Sequence, residues 1–298
     1  MTSRAQAPAK VMLFGEWAVL KGTPAVMTTL NVPMTCKLEA TNDSIHSFDN
    51  GETNTSSEDS FFHWNSKFIQ KFTETLGIDP KQNFKFSWKR DWKLNEGLGS
   101  SSASFLTAFF CCLDFLKSES VVKSEELWKK IFSIFQSISS GSGADLAAQF
   151  WGKSIVFQDG ASQGVNLDPP KELLLIHTGQ KACTQSLIQE IKDSEIPSAE
   201  IAKATLEFLD TRDWVKAMDL HFEAINKMGL IPEEALQFRN RLKKLNLIES
   251  LKTTGAGGGD ALLCLINPSK KEAFEREVYQ SGYWINSATF EAQGASIL

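Results

Sequence analysis

The sequence predicts an α+β protein divided into two domains, and three observations lead there. The chain has 298 residues, and at ~100–200 residues per domain two is the expected number. Short β-rich apolar segments and longer segments of helical period occur in both halves, so each half is expected to carry sheet and helix. Between them DGASQGVNLDPPKE, with glycines and two prolines, breaks the pattern near 160–171. The boundary is drawn so that the domains span residues 1–165 and 166–298.

Lys10 to Phe14 (KVMLF) and Ala25 to Leu30 read as strands flanking the turn GEWAVLKGTP. Thr41 to Ser60 is polar and contains an Asp-Asn-Gly turn signal, as expected of an exposed hairpin or loop. The strand-like FKFSWK follows at Phe84. Phe105 to Leu116 (FLTAFFCCLDFL) is apolar nearly all round, which implies a helix packed on several sides. It is too short for the ~18 residues of a membrane span, and Thr107 and Asp114 interrupt it. Ser124 to Ile138 has apolar spacing near ~3.6 and acidic residues in its first turn, the signature of an amphipathic helix. Lys153 to Phe157 and LLLIHTG read as strands, and Ala199 to Leu209, Trp214 to Met228 and Pro232 to Leu251 as helices. The glycine-rich TTGAGGGD and a strand, ALLCLI, come next.

Lys and Arg number 31 and Asp and Glu 36, a net charge of −5, which argues against general attraction to nucleic acid or an anionic membrane. The N-terminal MTSRAQAPAK lacks the apolar core of a secretory signal, so a cytoplasmic, thiol-reducing location is expected. The five cysteines are scattered without a CxxC, as free and mostly buried thiols would be. The four histidines are equally scattered, and neither a zinc site nor a Ser/His/Asp hydrolase is legible.

Three segments point to chemistry. In GLGSSSAS at 97–104, two glycines permit unusual backbone, hydroxyls follow, and a helix begins. Successive amides and a helix N-terminus can converge on phosphate oxygens, and serine hydroxyls can ligate magnesium; an ordinary serine-capped helix start is the alternative. The loop fits neither GxxxxGK[ST] nor a dinucleotide-binding GxGxxG context. TTGAGGGD at 253–260 holds four glycines within five residues, an entropic cost that makes sense where backbone must approach a ligand closely, although a flexible surface turn has the same composition. GSGAD at 141–145 sets Asp145 at a helix start, as a cleft carboxylate or an N-cap. Lys10, followed by a strand and then Gly15 and Glu16, can bring an ammonium to that carboxylate.

The order APAKVMLFGEWAVLKG, GLGSSSAS, GSGADLAA, TTGAGGGDALL, spread over nearly the whole chain, resembles the GHMP kinases: galactokinase and the homoserine, mevalonate and phosphomevalonate kinases. The resemblance implies an N-terminal α/β domain of ribosomal-protein-like fold, a C-terminal ferredoxin-like domain, and an active site between them. It implies that Gly97, Leu98, Gly99, Ser100, Ser101 and Ser102 wrap the ATP phosphates, with Ser101 a magnesium ligand. Asp145 would orient or deprotonate the attacking oxygen beside Lys10, with Glu16 in support. Gly255, Ala256, Gly257, Gly258 and Gly259 would approach the acceptor, and Lys181 and Thr184, together with Thr178, would meet the phosphate of a phosphorylated acceptor.

Within the family, GAGGGD, GEWAVL and HTGQKACT lean toward phosphomevalonate as acceptor, with mevalonate as the alternative and a non-catalytic nucleotide- or metabolite-binding member as a further one. The partner is expected to be that small molecule, not nucleic acid or membrane, and the protein to be a monomer or homodimer. Two departures stand out: Ala9 replaces the glycine of the family's PGK, and Lys129 to Ser140 lacks the acidic magnesium ligand of mevalonate kinases.

Overall fold

The computed structural model describes residues 2–41, 47–49, 60–79, 81–90, 92, 98–116, 122–179, 198–255, 259–286 and 288–298. Strands β1 (Thr2–Phe14) and β2 (Ala25–Thr41) form a long antiparallel hairpin, far longer than the apolar runs that announce it. Its register slips between Pro8 and Ala9, where Pro8 faces Pro33. Neither proline can donate to the ladder, so an irregularity there is the low-cost solution, and it falls two residues from Lys10.

β3 (Ser47–Asp49) runs parallel to β4 (Asn83–Arg90), which pairs with β2. β5 (Ser154–Gln158) pairs with β2 farther along, and β6 (Ala161–Gly164) pairs with β5. The two-residue β11 (Ser296–Ile297) closes the far edge against β1, giving a seven-stranded sheet.

Helices α1 (Ser60–Leu76), α2 (Ser100–Phe115), α3 (Glu125–Ile138) and α4 (Ala144–Trp151) accompany this sheet. Every residue of α2 from Ser102 to Leu113 is buried, as its all-round apolar character predicts. Phe72 of α1 meets Phe105 and Phe109 of α2 edge-to-face at 4.9 and 5.0 Å. Ser124 caps α3 by accepting the Leu127 amide, at the start the sequence indicated.

The second sheet is antiparallel, ordered β10 (Trp284–Asn286), β7 (Leu173–His177), β9 (Ala261–Ile266), β8 (Ile248–Thr253). With it go α5 (Ser198–Thr211), α6 (Trp214–Lys227), α7 (Glu233–Lys244) and α8 (Lys271–Gln280). All six residues of β9 are buried, so it reads as an unbroken apolar run. The chain then returns to the first sheet: Leu30 bridges Phe290 and Gly152 bridges Gln293 before β11.

The expected helix over Pro232 to Leu251 is corrected, since α7 stops at Lys244 and Ile248 opens β8. Leu242, Leu245, Ile248 and Leu251 continue a three-residue apolar spacing, which is why helical period extends past the true end. The helix stops because Asn246 takes the left-handed conformation at φ 54° and the Leu247 amide turns back to Leu242 O. α1, α8, β10 and β11 carried no strong sequence signal. Among the described residues Cys36, Cys111, Cys112 and Cys264 are free and buried, as expected, while Cys183 lies outside them. No helix among the described residues is long and apolar enough to cross a membrane.

Candidate active site

Lys10 lies near the end of β1, almost fully buried, with Nζ 3.0 Å from Asp145 Oδ2. Asp145 occupies the first turn of α4, where a carboxylate suits the helix dipole, and its side chain is 41% exposed, so the pair opens to solvent on the carboxylate side. The turn into α4 requires Gly143: at φ 85° it is left-handed, and a Cβ there would stand 2.4 Å from the Phe132 ring.

Lys10 is also bound to the first glycine loop. Its amide donates to Leu98 O at 3.1 Å. Gly99, left-handed at φ 82°, is the N-cap of α2, and its missing Cβ leaves room for the lysine stem lying across it. Gln149, one turn beyond Asp145 on α4, donates to Pro8 O at 2.8 Å and to Gly99 O at 3.1 Å, stitching β1, the loop and α4 together. Sequence reasoning missed Gln149; its i+4 relation to Asp145 was the available signal.

The first amides of α2 have no partners within their own helix, and such an end suits an anion. Ser100 Oγ accepts from Trp92 Nε1 at 3.0 Å, and Ser102 Oγ donates back to Gly99 O at 3.1 Å. These two hydroxyls therefore shape the loop. Ser101 sits exposed on the same first turn. Gly97 lies outside the described residues.

The second glycine loop arrives from the other sheet. Thr254 at its start donates Oγ1 to Met12 O at 2.6 Å, and its amide bonds Ala261 O at 3.1 Å, so the loop's base is both closed and attached to β1. Gly255 and Gly259 are left-handed at φ 76° and 75°. Thr178 holds the far side, its amide on Asp260 O at 3.1 Å and its hydroxyl on Gly259 O at 2.5 Å. Ala256, Gly257, Gly258, Lys181 and Thr184 lie outside the described residues.

Asp260 is buried, and its Oδ1 accepts the Ala261 amide at 3.0 Å. Burial pushes its carboxyl up to about 6, against the pull of the Lys10 ammonium. Lys10 is therefore felt by two carboxylates, one open to solvent and one buried.

Glu16 pairs with other cations. Its Oε1 accepts from Lys252 Nζ at 2.7 Å, and Oε2 lies 2.6 Å from His221 Nε2, close but poorly aligned for a hydrogen bond. All three side chains are 0–1% exposed. Burial alone would raise the Glu16 carboxyl; the charges of His221 and Lys252 bring it down to about 2. Burial lowers both His221 and Lys252.

An ammonium paired with one carboxylate, with a second buried carboxylate in its field and a helix N-terminus beside it, is suited to holding an anionic group. No group of three or more His, Cys, Asp or Glu among the described residues has metal-holding geometry. Hydrated magnesium carried mainly by phosphate oxygens needs few protein donors, and the Ser101 hydroxyl on an exposed helix turn fits that need.

No family model matches the chain. Mevalonate kinase of Methanocaldococcus jannaschii is 22% identical over 299 residues, covering 92% of this chain and 95% of that protein. The crystal structure of the enzyme from this organism superposes with a TM-score of 0.76 at 19% identity, covering 97% of this chain and 98% of that one. Streptococcus pneumoniae phosphomevalonate kinase in complex with phosphomevalonate and AMPPNP gives 0.78 at 14% identity, covering 96% and 99%. Lactococcus lactis galactokinase complexed with galactose gives 0.75 at 14% identity, covering 100% and 95%. The chain therefore carries the GHMP kinase fold, in agreement with the family resemblance of its motifs.

Proposed function

We propose that the protein is an ATP-dependent small-molecule kinase of the mevalonate pathway, acting on phosphomevalonate. The observation that carries this reading is the Lys10–Asp145 pair at 3.0 Å, set against the glycine-capped N-terminus of α2. The acceptor preference rests on GAGGGD, GEWAVL and HTGQKACT. Mevalonate is the second reading, favoured by the 22% identity to the M. jannaschii mevalonate kinase along nearly its full length.

In this reading the acceptor hydroxyl oxygen forms a bond to the γ-phosphorus of ATP while the bond from that phosphorus to the β,γ-bridging oxygen breaks and ADP leaves. The hydroxyl proton passes to the Asp145 carboxylate. Lys10 lies close enough to Asp145 to keep it aimed, and its ammonium faces the charge that builds on the phosphoryl oxygens. Amides from Leu98 to Ser102 hold the ATP phosphates, and the loop from Gly255 to Gly259 meets the acceptor. Magnesium, when bound with ATP, would neutralise phosphate charge beside Ser101. We further assign residues 1–165 and 166–298 to two domains, with the site at their junction.

The test is ADP release from magnesium-ATP with phosphomevalonate, mevalonate, homoserine, galactose or diphosphomevalonate, with carbon dioxide followed in parallel. Turnover with phosphomevalonate alone supports the first reading, and preference for mevalonate the second. Tight ATP binding without turnover of any acceptor would refute both.

A further inference from the structure

Among the described residues, Glu16, Lys252 and His221 make a buried cluster of ionisable groups outside the Lys10–Asp145 pair. Taking such groups out of water is costly, and an apolar trio of similar volume would serve packing as well or better. Stability therefore gives no reason for them, whereas their position does.

Glu16 belongs to the turn after β1, His221 to α6 and Lys252 to β8. The same turn penetrates the second sheet's core: Trp17 and Ala18 pack in one cluster with Ile176, Phe222, Ile225 and Leu262. Trp17 is held at φ 63°, an unfavourable conformation for an aromatic residue, so surrounding contacts fix it there. Gly15 before it admits no side chain, since a Cβ would come within 2.6 Å of Ala25 Cα and Pro24 O. The turn is thus a fixed point for the second half of the molecule.

Lys252 reaches this point from the root of the second glycine loop. Besides bonding Glu16, its Nζ donates to Thr253 O at 2.7 Å. The next residue, Thr254, donates to Met12 O, and Met12 is two residues from Lys10 on the same strand. The path Glu16–Lys252–Thr253–Thr254–Met12 is a closed ring through β1, and it sets where the loop leaves β8 relative to the Lys10 ammonium. We propose that Lys252 is a positioning residue: paired with Glu16 and acting through Thr254, it fixes the root of the second glycine loop on β1, two residues from Lys10, so that acceptor and phosphoryl group align.

This inference rests on the kinase reading, and its test separates the two. Melting temperature, magnesium-ATP binding and kcat are measured for the wild type, Lys252→Met, the double variant Glu16→Gln/Lys252→Met, and Thr254→Val. The single charge deletion leaves Glu16 buried without its cation and lowers Tm by several degrees; the double variant removes both charges and recovers most of it. Positioning predicts that the double variant and Thr254→Val nonetheless lose ~10- to 100-fold in kcat while ATP affinity stays within about twofold.

A double variant with recovered Tm and wild-type kcat overturns the proposal, and should the double variant not fold, wild-type kcat in Thr254→Val overturns it equally. A wild-type protein inert toward every acceptor would remove the kinase reading on its own account. Hydrogen exchange at the Thr254 and Ala261 amides then reads the loop directly: exchange ~10-fold faster in the variants sustains the ring, and unchanged protection ends that too.

Discussion

Replacing Gly99 by alanine places a methyl group where the lysine stem now lies. The new Cβ would stand 2.9 Å from both Lys10 Cγ and Lys10 Cε and 3.0 Å from Gln149 Nε2. Neither neighbour is free to swing away, because Lys10 is held by Asp145 and Gln149 by Pro8 O. An ordinary contact needs ~0.5–1 Å more room, so the ammonium must shift by about that amount or the loop must open. A left-handed non-glycine residue adds about 1 kcal/mol of strain. At ~2–4 °C per kcal/mol for a chain of this size, Tm should fall by only a few degrees. A misplacement of ~1 Å at the reacting groups, in contrast, can cost ~100-fold in rate. The assay is steady-state ADP release beside a thermal melt. Undiminished kcat in Gly99→Ala would refute the idea that the Lys10 stem and the first glycine loop constrain one another.

Asp145→Ala should lose ~100-fold or more in kcat while circular dichroism and nucleotide affinity stay near wild type; undiminished turnover would dismiss Asp145 from the chemistry. Ser101→Ala should raise the magnesium concentration needed for half-maximal activity, and an unchanged metal titration would remove it as a ligand. Stability should fall with acid in two stages. His221, whose folded pKa lies below its ordinary 6.5, takes up its proton more readily unfolded, so stability declines as pH drops below 6.5. Glu16, depressed from an ordinary 4.5 to about 2, contributes of order 3 kcal/mol that is fully present above 4.5 and is lost as pH falls through 2. Urea midpoints across this range check both stages, and Glu16→Gln should flatten the lower one.

Legibility followed the range of the interaction. The α2 helix, the Ser124 cap and both glycine loops were readable because composition and local spacing dictate them. Lys10 meeting Asp145 could be read from the residues only as one possibility, and the family likeness sharpened it, since 135 positions separate two residues of common type. Glu16 was expected in support of the Lys10–Asp145 pair, and its actual partners, His221 and Lys252, were not legible because they lie in segments whose local pattern says only helix and strand. The end of α7 was misread for the same reason: apolar spacing continued through Leu251, and the left-handed Asn246 that stops the helix has no strong local mark. β11 is two residues long and owes its existence to a sheet edge built by the other end of the chain.

Charge balance in the cleft follows from these placements. With Asp145 and Asp260 both ionised, these carboxylates and Lys10 would carry a net −1, which on the phosphomevalonate reading opposes an acceptor that brings its own phosphate. Asp260 relieves it, because burial brings its carboxyl to about 6, where protonation costs little near neutrality. In its protonated fraction, which grows as pH falls through 6, it presents a donor instead of a repelling charge. A glycine at this position would offer no such adjustment, whereas a solvent-exposed aspartate would stay ionised. The burial of Asp260, with its Oδ1 on the Ala261 amide and its carbonyl on the Thr178 amide, is therefore what would let an acidic residue stand in this loop on the kinase reading.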